Sequence, residues 1–225
     1  MKIDEILEKA EAERQREFKK IAYIRQDISC EKFKQLFMIR ANQTLVNDHK
    51  CFEPFQVDDC NRDVLNLFYY YAARTNPEKI NSLIGIVLAG AYGCGKSVMM
   101  SAFCKVLYDL EFIKEKVLEI HAIELAEEIR IKGVIPFARI PLLIQDMGKE
   151  NNLLNNWGTK INPISNLLAL RSEYGSLTFG STNMNLDGIK DQYEEYISKR
   201  FDEHVNRIFL PGKSRRPDYS LNQPK

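Results

Sequence analysis

The stretch Gly90-Ala91-Tyr92-Gly93-Cys94-Gly95-Lys96-Ser97 fits the pattern G-x-x-x-x-G-K-[ST], and the chain on either side of it narrows the possible folds to very few. Before it, Leu83, Ile84, Ile86, Val87 and Leu88 form a short branched apolar run, the composition of a strand covered on both faces of a parallel sheet. After it, Ser97 to Leu110 places Val98, Met99, Met100, Phe103, Val106, Leu107 and Leu110 at helical spacing, with no breaker inside. Strand, glycine-rich turn and helix together make a phosphate cradle. The glycines let backbone N–H groups turn inward, and the helix start adds partial positive charge. On this reading Gly90, Ala91, Tyr92, Gly93, Cys94, Gly95, Lys96, Ser97 and Val98 contact a nucleotide. Lys96 reaches its β- and γ-phosphates, and Ser97 offers a hydroxyl to magnesium.

The rest of the chain reads as a doubly wound α/β domain built around that loop. Val117-Leu118-Glu119-Ile120 predicts a second strand, Ala122 to Ile131 a helix stopped by Gly133, and Ile140 to Asp146 a third strand ending in an acid. An acid at the carboxyl end of a buried strand beside a phosphate loop is a magnesium position, which puts Asp146 with Ser97 in the metal set. Pro163 to Tyr174 predicts a helix, Leu177 to Asn183 a fourth strand, Tyr193 to Val205 a helix and Arg207 to Leu210 a last strand. Asn151 to Lys160 is Asn-rich and predicts a loop, in which Trp157 either packs or stacks on a base. This alternation implies a parallel sheet flanked by helices, with ligand at the strands' carboxyl ends.

Ahead of this domain lie two amphipathic stretches. Residues 2 to about 25 are dense in Glu, Lys and Arg around Ile3, Ile6, Leu7, Ala10, Phe18 and Ile21; Ile28, Phe33, Leu36, Phe37 and Ile39 follow, with Asp27 or Ser29 as cap. They are too small to hold a core alone, so they pack on the main domain, on a partner or on another copy. A boundary near residue 50 divides the chain into a helical partner-binding segment, 1–50, and a nucleotide-binding domain, 51–225.

Bulk properties exclude several classes. At 225 residues the chain suits one α/β domain with a small appendage, and a formal charge of +1 argues against a protein that coats nucleic acid. Five cysteines without a C-x-x-C pair, behind a start that is charged from Lys2 to Glu5 and not a signal peptide, imply reduced thiols and a cytoplasmic setting. His49, Cys51 and Cys60 match no zinc spacing, and no apolar run approaches the ~18 residues that span a bilayer.

Five short motifs in order resemble one family, the AAA+ ATPases of the bacterial replicative-helicase loader and transposition-helper type (DnaC, DnaI and IstB). Gly90 to Ser97 resembles its Walker A loop, and Asp146-Met147-Gly148-Lys149-Glu150 the "D-[LM]-G-x-E" after its Walker B strand. Ser181-Thr182-Asn183 resembles the "T-[ST]-N" whose asparagine is sensor 1, and Ser198-Lys199-Arg200 the segment with the arginine finger. Gly212 to Arg216 is similar to the terminal "G-x-S-x-R", whose last arginine is sensor 2.

The resemblance implies ATP and Mg2+ as cofactors and Lys96, Asp146, Asn183, Arg200 and Arg216 as catalytic residues, with Arg200 acting on a neighbouring subunit. It implies a replicative helicase or a transposase as partner, and single-stranded DNA as a further ligand. Two departures stand out. Gln145 occupies the place of an expected magnesium-holding aspartate, so either Asp146 takes the metal in a shifted register or hydrolysis is slow. The stretch from His121 to Pro141, where loaders carry a DNA-contacting helix pair, is short, with Arg130, Lys132 and Arg139 as its cations. The expectation is a helicase loader; the alternatives are a transposition helper, a nucleotide-gated binding module and, more distantly, a small-metabolite kinase.

Overall fold

In the computed structural model the apolar run before the loop is strand β1 (Gly85–Gly90), and the helix leaving the loop is Lys96–Asp109. The structure describes residues 28–150, 154–156, 159–193, 199–200 and 203–215, with 3, 5, 7–9, 11 and 12 near the N-terminus. β1 lies between β6 (Thr178–Thr182) and β7 (Val205–Leu210), while β3 (Leu142–Met147) pairs with β6 and with β2 (Leu118–His121). All these pairings are parallel, in the order β2-β3-β6-β1-β7. β1 begins later than its apolar run because Leu83 is exposed.

Both faces of the sheet are covered, which is why its strands read as continuous apolar runs and not as alternating ones. Ile86, Leu88, Leu143 and Phe179 point to one face, against α1 (Cys30–His49), α2 (Arg62–Ala73) and α3 (Lys96–Asp109). Val87, Leu142 and Ile144 point to the other, against α4 (Ala122–Lys132), α5 (Pro163–Glu173) and α6 (Leu186–Tyr193). The doubly wound architecture expected from the sequence is the one observed.

α1 is longer and more deeply committed than its sequence suggests. Ser29 caps its first turn, and the helix runs on through the polar stretch Asn42 to His49. Those polar side chains bond to the body of the protein: Asn42 Oδ1 accepts from the Phe55 N–H at 2.7 Å, and buried Thr44 accepts from Lys105 Nζ at 2.8 Å. Arg40 adds a two-pronged bond to Asp109 at 2.6 and 2.5 Å. On the apolar side Phe37 packs among Phe33, Phe55 and Phe68, and Phe68 stacks on Phe103 of α3 with centroids 4.1 Å apart. The boundary placed near residue 50 therefore falls between two helices of one shared core. Of the three packing alternatives, α1 takes the main domain. Most of the helix expected over residues 2 to 25 lies outside the described residues.

Elsewhere, the loop expected at Asn151 to Lys160 contains an antiparallel pair, β4 (Leu154–Asn156) with β5 (Thr159–Ile161); Trp157 is outside the described residues. Of the helix expected from Tyr193 to Val205, Lys199, Arg200, Glu203 and His204 are helical and the residues between lie outside the described ones; α6 reaches Tyr193, and β7 starts at Val205, paired with Gly85. Where the chain enters β3 and β6, Arg171 of α5 is fully buried, with Nη1 donating to the Phe137 and Ile140 carbonyls and Nη2 to that of Leu177. Burial pushes its guanidinium pKa down to about 10. Among the described residues, no helix is long and apolar enough to cross a membrane, and no group of three or more His, Cys, Asp or Glu is placed to hold a metal.

Candidate nucleotide-binding site

β1 delivers the chain at Gly90 and α3 leaves at Lys96, so the loop between them sits at the carboxyl end of the sheet. Gly93 (φ 74°) and Gly95 (φ 106°) hold left-handed conformations that a side chain would strain. Because Gly95 is the N-cap, no side chain caps α3, and its first-turn N–H groups stay available to an anion. Cys94 and Val98 face the core, so the backbone is all they can present to a ligand. Ala91 and Tyr92 are exposed, and Lys149 Nζ lies 5.4 Å from the centre of the Tyr92 ring.

Lys96 is only 4% exposed, a costly position for an ammonium unless each of its protons is bonded. Its Nζ donates to the Gly90 and Ala91 carbonyls at 2.9 and 2.7 Å and to Asn183 Oδ1 at 2.6 Å. The two residues predicted to act together, one after β1 and one after β6, are thus in direct contact.

Gln145 and Asp146 are separated by the backbone itself. The β3–β6 register shifts between Ile144 and Met147, and Asp146 has φ 57°. Its N–H donates to Ser181 Oγ at 3.1 Å, while its carboxylate turns to Lys149 Nζ at 2.8 Å and His121 Nδ1 at 4.0 Å. Gln145 instead points under α3 and is 1% exposed. Its Nε2 donates to Glu119 Oε1 at 2.8 Å, Ser101 Oγ at 3.2 Å and the Ser97 carbonyl at 3.4 Å; its Oε1 accepts from Ser181 Oγ at 2.5 Å. Ser101 Oγ also donates to Glu119 Oε1. Glu119, Ser101 and His121 were not singled out from the sequence, although an acid inside the apolar strand next to Gln145 is a signal that could have been read.

No protein-family model matches the sequence, and no curated protein matches it. Solved structures do. The DnaC helicase loader aligns with a TM-score of 0.56 at 18% identity, over 69% of this chain and 93% of that one. DnaI gives 0.55 at 18% identity, over 73% and 88%. DnaA from Aquifex aeolicus, solved with AMPPCP bound, gives 0.50 at 16%, over 69% of this chain and 48% of its own. The fold is that of DnaC- and DnaI-like AAA+ ATPases.

Within this AAA+ fold the remaining predicted residues are placed unevenly. Arg200 Nη1 pairs with Glu173 Oε1 at 3.0 Å. Glu173 ends α5 and precedes β6, whereas Asn183 follows β6, so the two ends are separated by a strand of five residues, roughly 15 Å. Arg200 therefore lies toward the opposite end of the sheet from the phosphate loop of its own chain. Arg216 and Ser198 are outside the described residues. Its neighbour Arg215 is held against the loop: its N–H donates to the Gly93 carbonyl at 2.9 Å and its Nε to that of Cys94 at 3.1 Å. Its Nη2 meets Asp58 at 2.7 Å, and this partner holds the Asp58 carboxyl below its ordinary range.

Proposed function

We propose that the chain binds ATP with magnesium, hydrolyses it, and serves DNA replication as a replicative-helicase loader. The observation that carries this reading is the contact of Lys96 Nζ with Asn183 Oδ1, which couples a phosphate cradle to the strand end that senses phosphate in AAA+ proteins. The site suits the ligand: α3 begins without a side-chain cap, and a charged lysine is already held at the loop mouth. Ser97, at the second position of α3, and Asp146 are the residues that would hold the metal, which when bound neutralises phosphate charge during transfer to water. Lys96 exchanges loop carbonyls for phosphate oxygens. Asn183, released from Lys96, orients water, and Asp146 accepts its proton. Arg200 serves the nucleotide of an adjoining copy, with sensor 2 assigned to Arg216.

The likeness to the DnaC helicase loader supports a helicase partner, gripped by the stretch before residue 28, with single-stranded DNA as a further ligand. A second reading, a nucleotide-gated module with little turnover, is favoured by the amide nitrogen of Gln145 facing Ser97. Fluorescent ATP titration tests the site. Lys96→Ala should weaken binding by ~10- to 100-fold, the worth of a charge-assisted contact; unchanged affinity refutes the site. Copurification of a replicative helicase with the full chain, lost on removal of residues 1–27, supports the loader; copurification of a transposase supports the transposition helper instead.

A further inference from the structure

Position 145 on β3 carries an uncharged amide, and the adjacent strand places a carboxylate against it. Glu119 sits on β2 opposite Leu143, with its side chain on the α3 face of the sheet, where Oε1 receives both Ser101 Oγ and Gln145 Nε2. Ser101 is one helical turn beyond Ser97, so both hydroxyls project from the same side of α3. Gln145 cannot itself serve a cation. Its amide oxygen is taken by Ser181, and reversing the amide would set that oxygen against two further acceptors, Glu119 Oε1 and the Ser97 carbonyl. Its neighbours thus fix the NH2 group toward Ser97. Asp146 is set apart from Gln145 by the bulge and already shares its carboxylate with Lys149. Glu119, by contrast, is exposed, so a hydrated ion can reach it.

We infer that Glu119 is a further carboxylate that holds magnesium in this site, beside Ser97 and Asp146 and through the ion's water shell, with Gln145 as the positioning residue that aims it. Magnesium keeps several of its waters when protein-bound, so an acid one turn deeper than Ser97 is within reach of the hydrated ion. The glutamine on β3 is bonded directly to this carboxylate on β2. This inference rests on the nucleotide-binding reading above.

The test uses the full chain, mant-ATP as nucleotide probe, and Mg2+ or Mn2+ as metal. In wild type, metal should tighten nucleotide binding, and Mn2+ should give a bound-ion electron paramagnetic resonance signal only with nucleotide present. Glu119→Gln keeps an acceptor for Ser101 and Gln145 but removes the charge. It should lower the affinity for the metal by at least tenfold, while metal-free nucleotide binding rises because a charge near the phosphates is gone. Adding Gln145→Asp to Glu119→Gln should restore the metal affinity. An unchanged Mn2+ affinity in Glu119→Gln, with nucleotide still bound, overturns the inference and leaves the nucleotide site standing. Wild type that binds no nucleotide overturns both. If Glu119→Gln fails to fold, Glu119→Asp decides: retained metal affinity supports the charge, and metal affinity lost as nucleotide binding persists overturns it.

Discussion

Replacing Phe37 by Ala asks whether α1 is part of the nucleotide-binding body or an arm that can be removed from it. The ring is fully buried, with its centroid 6.3, 5.7 and 6.1 Å from those of Phe33, Phe55 and Phe68. Truncating a buried Phe costs about 3–5 kcal/mol, and three ring partners, each contributing ~0.5–1.5 kcal/mol beyond burial, place this one near the top of that range. A loss of about 4–5 kcal/mol is a large part of the ~5–15 kcal/mol that holds a typical domain folded. With a urea slope of about 3 kcal/mol/M for a chain of this size, the unfolding midpoint should fall by about 1.5 M. Ile39→Ala, on the exposed side of the same helix, should shift stability by less than about 0.5 kcal/mol. Circular dichroism in urea measures both. If Phe37→Ala moves the midpoint no more than Ile39→Ala, α1 does not share the core, and the argument from ring packing is wrong.

Asn183→Ala should leave ATP affinity within a few-fold and cut turnover on the order of a hundredfold, as removal of a polar group aimed at the reacting centre does; equal loss in both would make Asn183 a binding residue only. Arg171→Met strands the carbonyls of Phe137, Ile140 and Leu177 at ~1–3 kcal/mol each, so the melting temperature should drop by about 10 °C, and a change under about 2 °C would show that the carbonyls find other donors. The Asp58 carboxyl is held below its ordinary range by Arg215, so this tie is present at neutral pH and lost as pH falls through the lowered value. The Arg215 Nη2 resonance should report that loss, and one that stays constant into strongly acid solution refutes it. Mixing Lys96→Ala with Arg200→Ala, each inactive alone, should recover part of the ATPase rate if the arginine serves a neighbouring copy; no recovery in a mixture shown to assemble refutes that role.

The site's centre was legible because its chemistry is local: a strand, a turn with two left-handed glycines and a helix are consecutive, so eight residues carry the geometry. Lys96 and Asn183 were legible as two members of a five-residue set through the order of motifs, but not as a contacting pair. The fate of Gln145 was not, because its partners Ser101, Glu119 and Ser181 come from three different elements and meet only once the sheet is assembled. The reach of α1 through Asn42 to His49 is hidden for a related reason: Asn42 and Thr44 spend their polar atoms on Phe55 and Lys105, contacts set by tertiary packing and invisible to periodicity. Arg171 escaped notice in the same way, since an arginine near a helix end reads as solvated until three carbonyls close around it.

Two facts about the phosphate loop bear on how it works. Its lysine is tied inward, to two loop carbonyls and to the end of β6, and its outer side carries Arg215, bonded to the carbonyls of Gly93 and Cys94. On the proposed reading, a triphosphate in the cradle competes for the lysine with all three of its partners, the Gly90 and Ala91 carbonyls and Asn183. β6 is in turn bound to the β3 bulge through the Ser181 hydroxyl, which accepts from the Asp146 N–H and donates to Gln145 Oε1. Displacing one hydrogen bond at Lys96 therefore reaches both residues of the atypical acid pair within a single strand end. On the proposed reading, that economy of connection is a physical reason for nucleotide occupancy to be felt at β3 before hydrolysis, with binding as the first signal.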